Sequence, residues 1–370
     1  MPPIWTEDLS HSQDMNDNIF IRKDYQDLPE VLRNCGILGE GKKALIITDK
    51  NVAKFHLDTV LTLIAPIFPR KIDYTIFRSG EARKNFRILE GLLDNCHKAN
   101  LDRDSLIIAL GGGVVGDLAG FCAATYMRGI SHIMLPTTTL ACADSSVGGK
   151  CAVNIGKIKN IAGVFHKPIA VYIATDSLIT LGDTDYANGF AEIIKHAVIC
   201  NDNGAFFEYL IKNRHALLLR QSEILKETFM RSCEIKSEIV AEDFKDYGLR
   251  RILNFGHTFG HAIESLSEYT LSHGQCVALG MVCAINYVKN FPKSQRDEII
   301  KILQFFGLPV KLPKSAEDFD ITPEKIYQKM QSDKKVGSGI INLVIARSLG
   351  DIEIMSGDKG GIISAVSGIF

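Results

Sequence analysis

The chain lacks an excess of charge of either sign: Lys and Arg number 42, Asp and Glu 43, a net charge of −1. No bulk basic field of the kind that holds nucleic acid or an anionic membrane surface is present, so any anion must be recognised locally. Nine cysteines occur without a C-x-x-C pair. That excludes the common cysteine zinc site and fits reduced thiols better than a disulfide framework. No apolar run reaches membrane length, because Cys276 to Ile285 is about half of the roughly 18 residues a spanning helix needs. The opening MPPIWTEDLSHSQDMNDN, which holds the only tryptophan, Trp5, has neither a basic start nor an apolar core. No targeting segment is expected there, and a cytoplasmic protein is. Repeats, low-complexity tracts and long Pro/Ser linkers are also missing.

What is present is an ordinary globular composition, 370 residues with 46% hydrophobic content and 31 glycines, enough for two domains. KKALIITD (43–50), SLIIAL (105–110), HIMLPTTTL (132–140) and AVYIAT (170–175) read as buried strands separated by helical stretches. Strand and helix in alternation predict a largely parallel sheet covered on both faces, with ligands at the carboxyl ends of its strands. From about Asp176 the pattern changes to amphipathic helices: YANGFAEIIKHAVI, HALLLRQSEILKETFMRSCEIKSEIVAED, RILNFGHTFGHAIESL and GQCVALGMVCAINYVKNF. Strand signal returns only at INLVIARS (341–348) and DIEIM (351–355). The expected architecture is α/β: a Rossmann-like parallel-sheet domain at 1–175, then a mainly α-helical domain at 176–370, with the site in the cleft between them.

LIIALGGGVVGDLAGF (106–121) is a strand, a triple-glycine turn and a helix. Gly111, Gly113 and Gly116 satisfy G-x-G-x-x-G, whose backbone N–H groups can meet a pyrophosphate at a helix N-terminus. A tight packing turn would use the same glycines, and no acidic residue about 20 positions on completes the dinucleotide fingerprint. Asp49, in Thr48-Asp49-Lys50-Asn51 at the end of an earlier strand, could take ribose hydroxyls instead. ADSSVGGKCAVNIGKIKN (143–160) gathers Asp144, Lys150, Asn154, Lys157, Lys159 and Asn160 with three glycines. It is not a Walker A loop, since Asp144 stands where that motif needs glycine, and it reads as a basic loop that faces either solvent or the cleft.

FGHTFGHAIES (255–265) places His257 and His261 at i, i+4 on one helical face, with His273 after a short loop. Two or three of these histidines could hold zinc, with Glu192, a carboxylate on an apolar helical face, as partner. Arg128, Lys195, Lys236, Arg250 and the Lys334-Lys335 pair lie at helix ends or in loops. Each alone is an ordinary solvated charge; together with a metal and a nucleotide loop they suit a substrate bearing more than one negative group.

Taken in order, GGGVVGDLAGF, TYMRG, PTTTL, DSSVGGK, KN, AEIIK, SCEIK, LNFGHTFGHAIE, His273-Gly274 and DKKVG resemble the 3-dehydroquinate synthases of the sugar-phosphate cyclase superfamily, from about residue 40 to 350. The resemblance implies NAD, Zn2+ or Co2+, a homodimer, a small sugar-phosphate substrate, and no nucleic acid or membrane partner. It makes Glu192, His257 and His273 the metal ligands and gives His261 to the substrate. It assigns Asp49, Asn51, Glu81, Lys84, Gly113, Gly116, Asp117, Thr137, Thr138, Lys150, Lys159, Ser177 and Thr180 to NAD. Catalytic and substrate contacts would come from Arg128, Asp144, Lys150, Asn160, Lys195, Lys236, Arg250, Asn254, His261 and Lys334, with Arg128 reaching the phosphate across the dimer.

The implied reaction turns 3-deoxy-D-arabino-heptulosonate 7-phosphate into 3-dehydroquinate and phosphate by transient oxidation, elimination, re-reduction and aldol closure. Another cyclase acting on a substrate without a carboxylate would be expected to change Lys236, Arg250, Asn254 or His261. A polyol dehydrogenase of the glycerol dehydrogenase type would have little use for so many cationic groups. The chain departs from the family pattern at Ser79, where aspartate is usual, at Cys142-Ala143, at Ile158, at Asp183 and at Gln331-Ser332. None of these removes a ligand or charge assigned above.

Overall fold

The computed structural model describes residues 18–36, 42–68, 72–156, 158–316, 318–334 and 340–370, without the side chains of 333 and 334. Six strands form one parallel sheet: β1 (Ile19–Arg22), β2 (Ala44–Asp49), β3 (Asp73–Phe77), β4 (Leu106–Gly111), β5 (Ser131–Pro136) and β8 (Ala170–Ala174). Their order is β1-β8-β5-β4-β2-β3. Alternation along β2 explains the layering. Leu45 and Ile47 pack in the core shared with the helices Phe86–Lys98 and Gly113–Thr125, while Ala44 and Ile46 pack in a second core with Leu28, Leu32, Val60 and Ile64. Both faces are covered along β2, β4 and β8, which is why these strands are continuous apolar runs.

The chain runs from β2 outward to β3, then returns to place β4 on the other side of β2. The crevice between the carboxyl ends of β2 and β4 is thus a topological switch point, the place where such sheets bind ligands. It resolves the oddity of a glycine turn after a later strand, because Asp49 at the end of β2 and Gly111–Gly113 after β4 flank one crevice.

Two sequence readings differ from the fold. The strands β1 and β3 lacked a signal, being short and, in β3, largely exposed. Pro136 caps the strand within 132–140, as its place in the sequence suggests, and Thr139 begins a helical turn. The basic loop at 143–160 is a π-helical turn, Ala141–Ser145, followed by an antiparallel ribbon of β6 (Lys150–Ile155) and β7 (Ile158–Phe165). Its alternation was hidden by lysine, asparagine and glycine. Cys151 and Val153 face inward, and a Cβ on Gly120 would meet Cys151 Sγ at 2.3 Å, so the glycine allows the ribbon to lie on its helix.

The remainder is helical, with one antiparallel pair, β9 (Asn342–Ser348) and β10 (Asp351–Ser356). The long pattern at 215–243 is two helices, Ala205–Leu218 and Ser222–Glu242, broken where Arg220 adopts φ +56°. Cys276 to Ile285 lies in the helix His273–Tyr287 and is entirely buried in the core. No helix among the described residues is long and apolar enough to cross a membrane.

Candidate active site

Glycine packing creates the first cluster. The helices His257–Leu266 and His273–Tyr287 touch backbone to backbone: a Cβ on Gly280 would lie 1.9 Å from Gly256 O, and one on Gly260 2.8 Å from Cys276 O. Gly274 fits equally close to Asn188 O of the helix Asp183–Ile199, and Ser272 Oγ donates to Asn188 Oδ1 at 2.6 Å. Three helices therefore meet where each carries a ligand-type side chain. Glu192 Oε1 lies 3.2 Å from His257 Nε2 and 3.1 Å from His273 Nε2. The three residues offer ligand atoms within 4.8 Å of one another.

The tautomers suit a metal. His257 Nδ1 donates to Phe255 O at 3.2 Å, which orients Nε2 toward Glu192. His273 Nδ1 lies 3.7 Å from Glu264 Oε2, a carboxylate–histidine arrangement usual behind a metal ligand. Burial alone would lower His273, but Glu192 and Glu264 hold it up at about 10. A proton on its ring thus supplies positive charge between two carboxylates, where a divalent ion would serve better. The donor set of one carboxylate and two imidazoles fits such an ion and leaves coordination positions open. The i, i+4 pair His257 and His261 does not converge in this way: His261 groups with Glu264 and His273 instead, its ring 5.2 Å from that of His257.

Beside Glu192 lies a buried charge network. Glu192 Oε2 is 2.5 Å from Lys195 Nζ, and both side chains are buried. Lys236 Nζ contacts Asp144 Oδ1 at 2.8 Å and donates to Asp144 O at 2.5 Å. Burial would raise the two carboxylates, yet Lys195 and His257 hold Glu192, and Lys236 and Lys195 hold Asp144, well below the usual range. Burial would depress Lys195, but Glu192 and Asp144 leave it raised, whereas Lys236 is lowered by burial and by Lys195 and Arg250. The buried Arg250 closes this side, donating to Gly148 O at 3.1 Å and Phe244 O at 2.8 Å, with Asn254 exposed at the end of the same turn.

The second cluster lines the sheet crevice. Asp49 Oδ1 accepts from Asn51 N at 2.8 Å and from Ser79 Oγ at 2.6 Å. Ser79, the departure from the family pattern, therefore serves as a hydroxyl donor to Asp49. Lys84 pairs with Asp117 and donates to Asn160 Oδ1 at 2.5 Å. Asn154 Nδ2 donates to Glu81 Oε1 at 2.7 Å, tying the ribbon to the sheet. At the glycine turn a Cβ on Gly112 would meet Thr138 Cγ2 at 2.8 Å, and one on Gly113 would meet Ser145 Oγ at 3.1 Å. The buried hydroxyls of Thr137 and Ser145 have no partner among the described residues. A bare cradle of backbone N–H groups and unpaired hydroxyls suits the phosphates of a dinucleotide. Gly116 lies one turn into the same helix, and Thr180 Oγ1 is held by His56 Nε2 at 2.7 Å.

Lys159 joins the clusters, pairing with Glu264 at 2.6 Å over the Tyr269 ring. Lys150 pairs with Asp246 at 2.6 Å. Arg128 is exposed at φ +72° and forms no ion pair among the described residues. The side chain of Lys334 and the whole of Lys335 lie outside the described residues. Three residues were missed in the sequence. Glu264 could have been found as a charge on the apolar face beside His261, whereas Asp246 lies in a loop without pattern and His196 in a helix that reads as core.

The profile described as 3-dehydroquinate synthase N-terminal matches residues 74–188, and the one described as 3-dehydroquinate synthase C-terminal matches 189–336. The 3-dehydroquinate synthase of Ruminiclostridium cellulolyticum is 36% identical over 90% of each chain. That of a Thermoanaerobacter species is 43% identical over 85% of this chain and 87% of the relative. Among solved structures, a 2-epi-5-epi-valiolone synthase from Streptomyces hygroscopicus with NAD+ and Zn2+ bound superimposes with a TM-score of 0.84 at 21% identity, covering 98% and 99% of the two chains. A 2-deoxy-scyllo-inosose synthase complexed with carbaglucose-6-phosphate, NAD+ and Co2+ gives 0.82 at 23% identity, covering 95% and 96%.

Proposed function

The chain belongs to the 3-dehydroquinate synthase family, and on that premise we propose that it converts 3-deoxy-D-arabino-heptulosonate 7-phosphate into 3-dehydroquinate and phosphate. The observation that carries the reading is the meeting of Glu192, His257 and His273 beside the Asp144, Lys195 and Lys236 network. Glu192, His257 and His273 would hold a divalent metal, and the switch-point crevice lined by Asp49, Asn51, Glu81, Lys84, Gly113, Gly116, Asp117, Thr137, Thr138, Lys150, Lys159, Ser177 and Thr180 would hold NAD. When bound, NAD supplies transient oxidation and return reduction of a ring hydroxyl, and Zn2+ or Co2+ supplies polarisation of the reacting oxygen.

The chain's own residues do the rest. Lys195, Lys236 and Arg250 offer fixed positive charge to a carboxylate and phosphate, already oriented by Asp144, Glu192 and Gly148. Asp144, kept ionised, accepts from a substrate hydroxyl. His261, exposed at its edge of the site and lowered by desolvation and then by His257 and His273, presents a neutral imidazole to hydrogen-bond the substrate. Lys150, Lys159, Asn160, Asn254, Lys334 and Arg128 would complete the contacts, with Arg128 reaching from a second copy.

We also propose the two domains at 1–175 and 176–370, a homodimer and a cytoplasmic location. The cysteines among the described residues form no disulfide, in keeping with a reducing compartment. Exposed Ile155, Ile158, Ile161 and Phe165 give the ribbon an apolar surface to share with a second copy. The assay mixes protein, Zn2+, NAD and the heptulosonate phosphate and follows phosphate and dehydroquinate. Stoichiometric release is expected without net NADH. No phosphate release sinks the reading, and NADH accumulation with a polyol would favour the dehydrogenase alternative.

A further inference from the structure

We infer that His196 is a positioning residue that fixes the carboxylate of Asp144 for substrate, an inference that rests on the synthase activity proposed above. His196 follows Lys195 on the helix Asp183–Ile199, and its side chain is fully buried. An imidazole so placed is costly unless both nitrogens are used, and a leucine would fill the space more cheaply. Both nitrogens face polar groups. Nδ1 is 2.7 Å from Ser232 Oγ on the helix Ser222–Glu242, and Nε2 is 3.5 Å from Asp144 Oδ1 in the π-helical turn Ala141–Ser145.

The facing groups assign the protons. A lone pair on Nε2 would oppose the carboxylate of Asp144, so the neutral ring carries its one N–H at Nε2 and Nδ1 accepts from Ser232 Oγ, which in the other tautomer would donate to Ala143 O at 3.3 Å. At 3.5 Å Nε2 makes no hydrogen bond here, and contacts in ligand-free sites commonly tighten around substrate.

The helix Ser222–Glu242 thus holds the turn at three points. Ser232 acts through His196, Cys233 Sγ donates to Cys142 O at 3.3 Å, and Lys236 reaches both the main chain and the carboxylate of Asp144. A π-helical turn is uncommon and often marks a functional site. Here it aims one carboxylate, whose Oδ1 is occupied by Lys236 and faced by His196 Nε2 at 3.5 Å. Oδ2 accepts no hydrogen bond among the described residues and is left for a substrate hydroxyl.

The test compares His196→Leu, His196→Gln and Ser232→Ala with wild type by phosphate release, bound Co2+ by its visible spectrum, and thermal unfolding. His196→Leu should lower kcat/KM by about 10- to 100-fold, the range for groups that orient a reacting residue, with Co2+ spectrum and unfolding temperature unchanged. His196→Gln, which can present an amide N–H near the place of Nε2–H, should recover most of that loss. Ser232→Ala should show a smaller loss of the same kind, and it carries the test if the leucine variant fails to fold. Wild-type kinetics in both His196→Leu and Ser232→Ala, a glutamine variant no better than leucine, or a loss that follows Co2+ release overturns the inference. Absence of phosphate release from the wild type strikes at the synthase reading instead.

Discussion

The two sides of the cleft hold charge in different ways. On the helical side Glu192, Lys195, His196 and Lys236 are 0%, 2%, 0% and 7% exposed, each compensated by a neighbour within a few ångströms. On the sheet side Asp49 and Glu81 are half-buried beside strand ends and Lys150 is exposed, although Lys84 is buried against Asp117. Charges taken out of water need permanent partners, because an orphan left behind is expensive. Charges at strand ends keep water as an alternative partner and can exchange it for a ligand. The helical side is therefore built as a rigid electrostatic frame, and the sheet side as a receptive edge.

The comparison can be broken at its strongest point first. His257→Ala should lose bound metal and lower phosphate release by about 1,000-fold or more, since a metal supplies several kcal/mol at the reacting oxygen. Metal analysis beside the assay checks it, and unchanged metal content would remove His257 from the ligand set.

Lys195→Ala removes one partner of a buried pair and should lower stability by about 3 kcal/mol in chelator, as broken buried pairs do. Urea unfolding measures this, and a change within error would show that the helical frame relaxes as freely as the sheet edge. Lys150→Ala is the matching change on the receptive side. Its half-exposed pair with Asp246 should be worth less than about 1 kcal/mol of stability, while turnover falls and metal is retained. Near-normal turnover would take Lys150 out of the catalytic set.

The smallest effect sharpens the contrast within one helix. The helix Ser222–Glu242 turns Ser232 and Lys236 inward to complement Asp144, while Glu234 on its other side is raised to about 7 by burial and by Glu238 and Glu227. A carboxyl raised in the folded state favours folding below its ordinary value of 4.5 and loses that contribution as pH rises through about 7. Glu234→Gln should therefore raise the unfolding temperature relative to wild type at pH 8 and not at pH 4. An equal gain at both values would locate the effect in packing rather than charge.

Much of the frame was legible residue by residue. β2, β4 and β8 announced themselves because strands buried on both faces must be apolar throughout. The glycines of GGGVVG and FGHTFGH marked close backbone approach, and the candidate ligand segments followed from histidines set among those glycines. The ribbon 150–165 was obscured because its polar residues serve neighbours rather than solvent: Asn154 holds Glu81, Asn160 takes Lys84, and Lys159 reaches Glu264. Composition reports what a residue is, not which distant element meets it.

By itself the sequence determined the alternation of buried strands and helices, the change to a helical half, and the stock of ligands and cations. Those depend on local periodicity and side-chain chemistry, which a linear chain carries in full. Only the tertiary structure decided that Asp49 and the glycine turn share one crevice, that Lys159 of the ribbon meets Glu264, and that His196 backs Asp144. Each depends on contacts between segments far apart in the chain, set by strand order and by helices that approach closely only where glycine removes the Cβ.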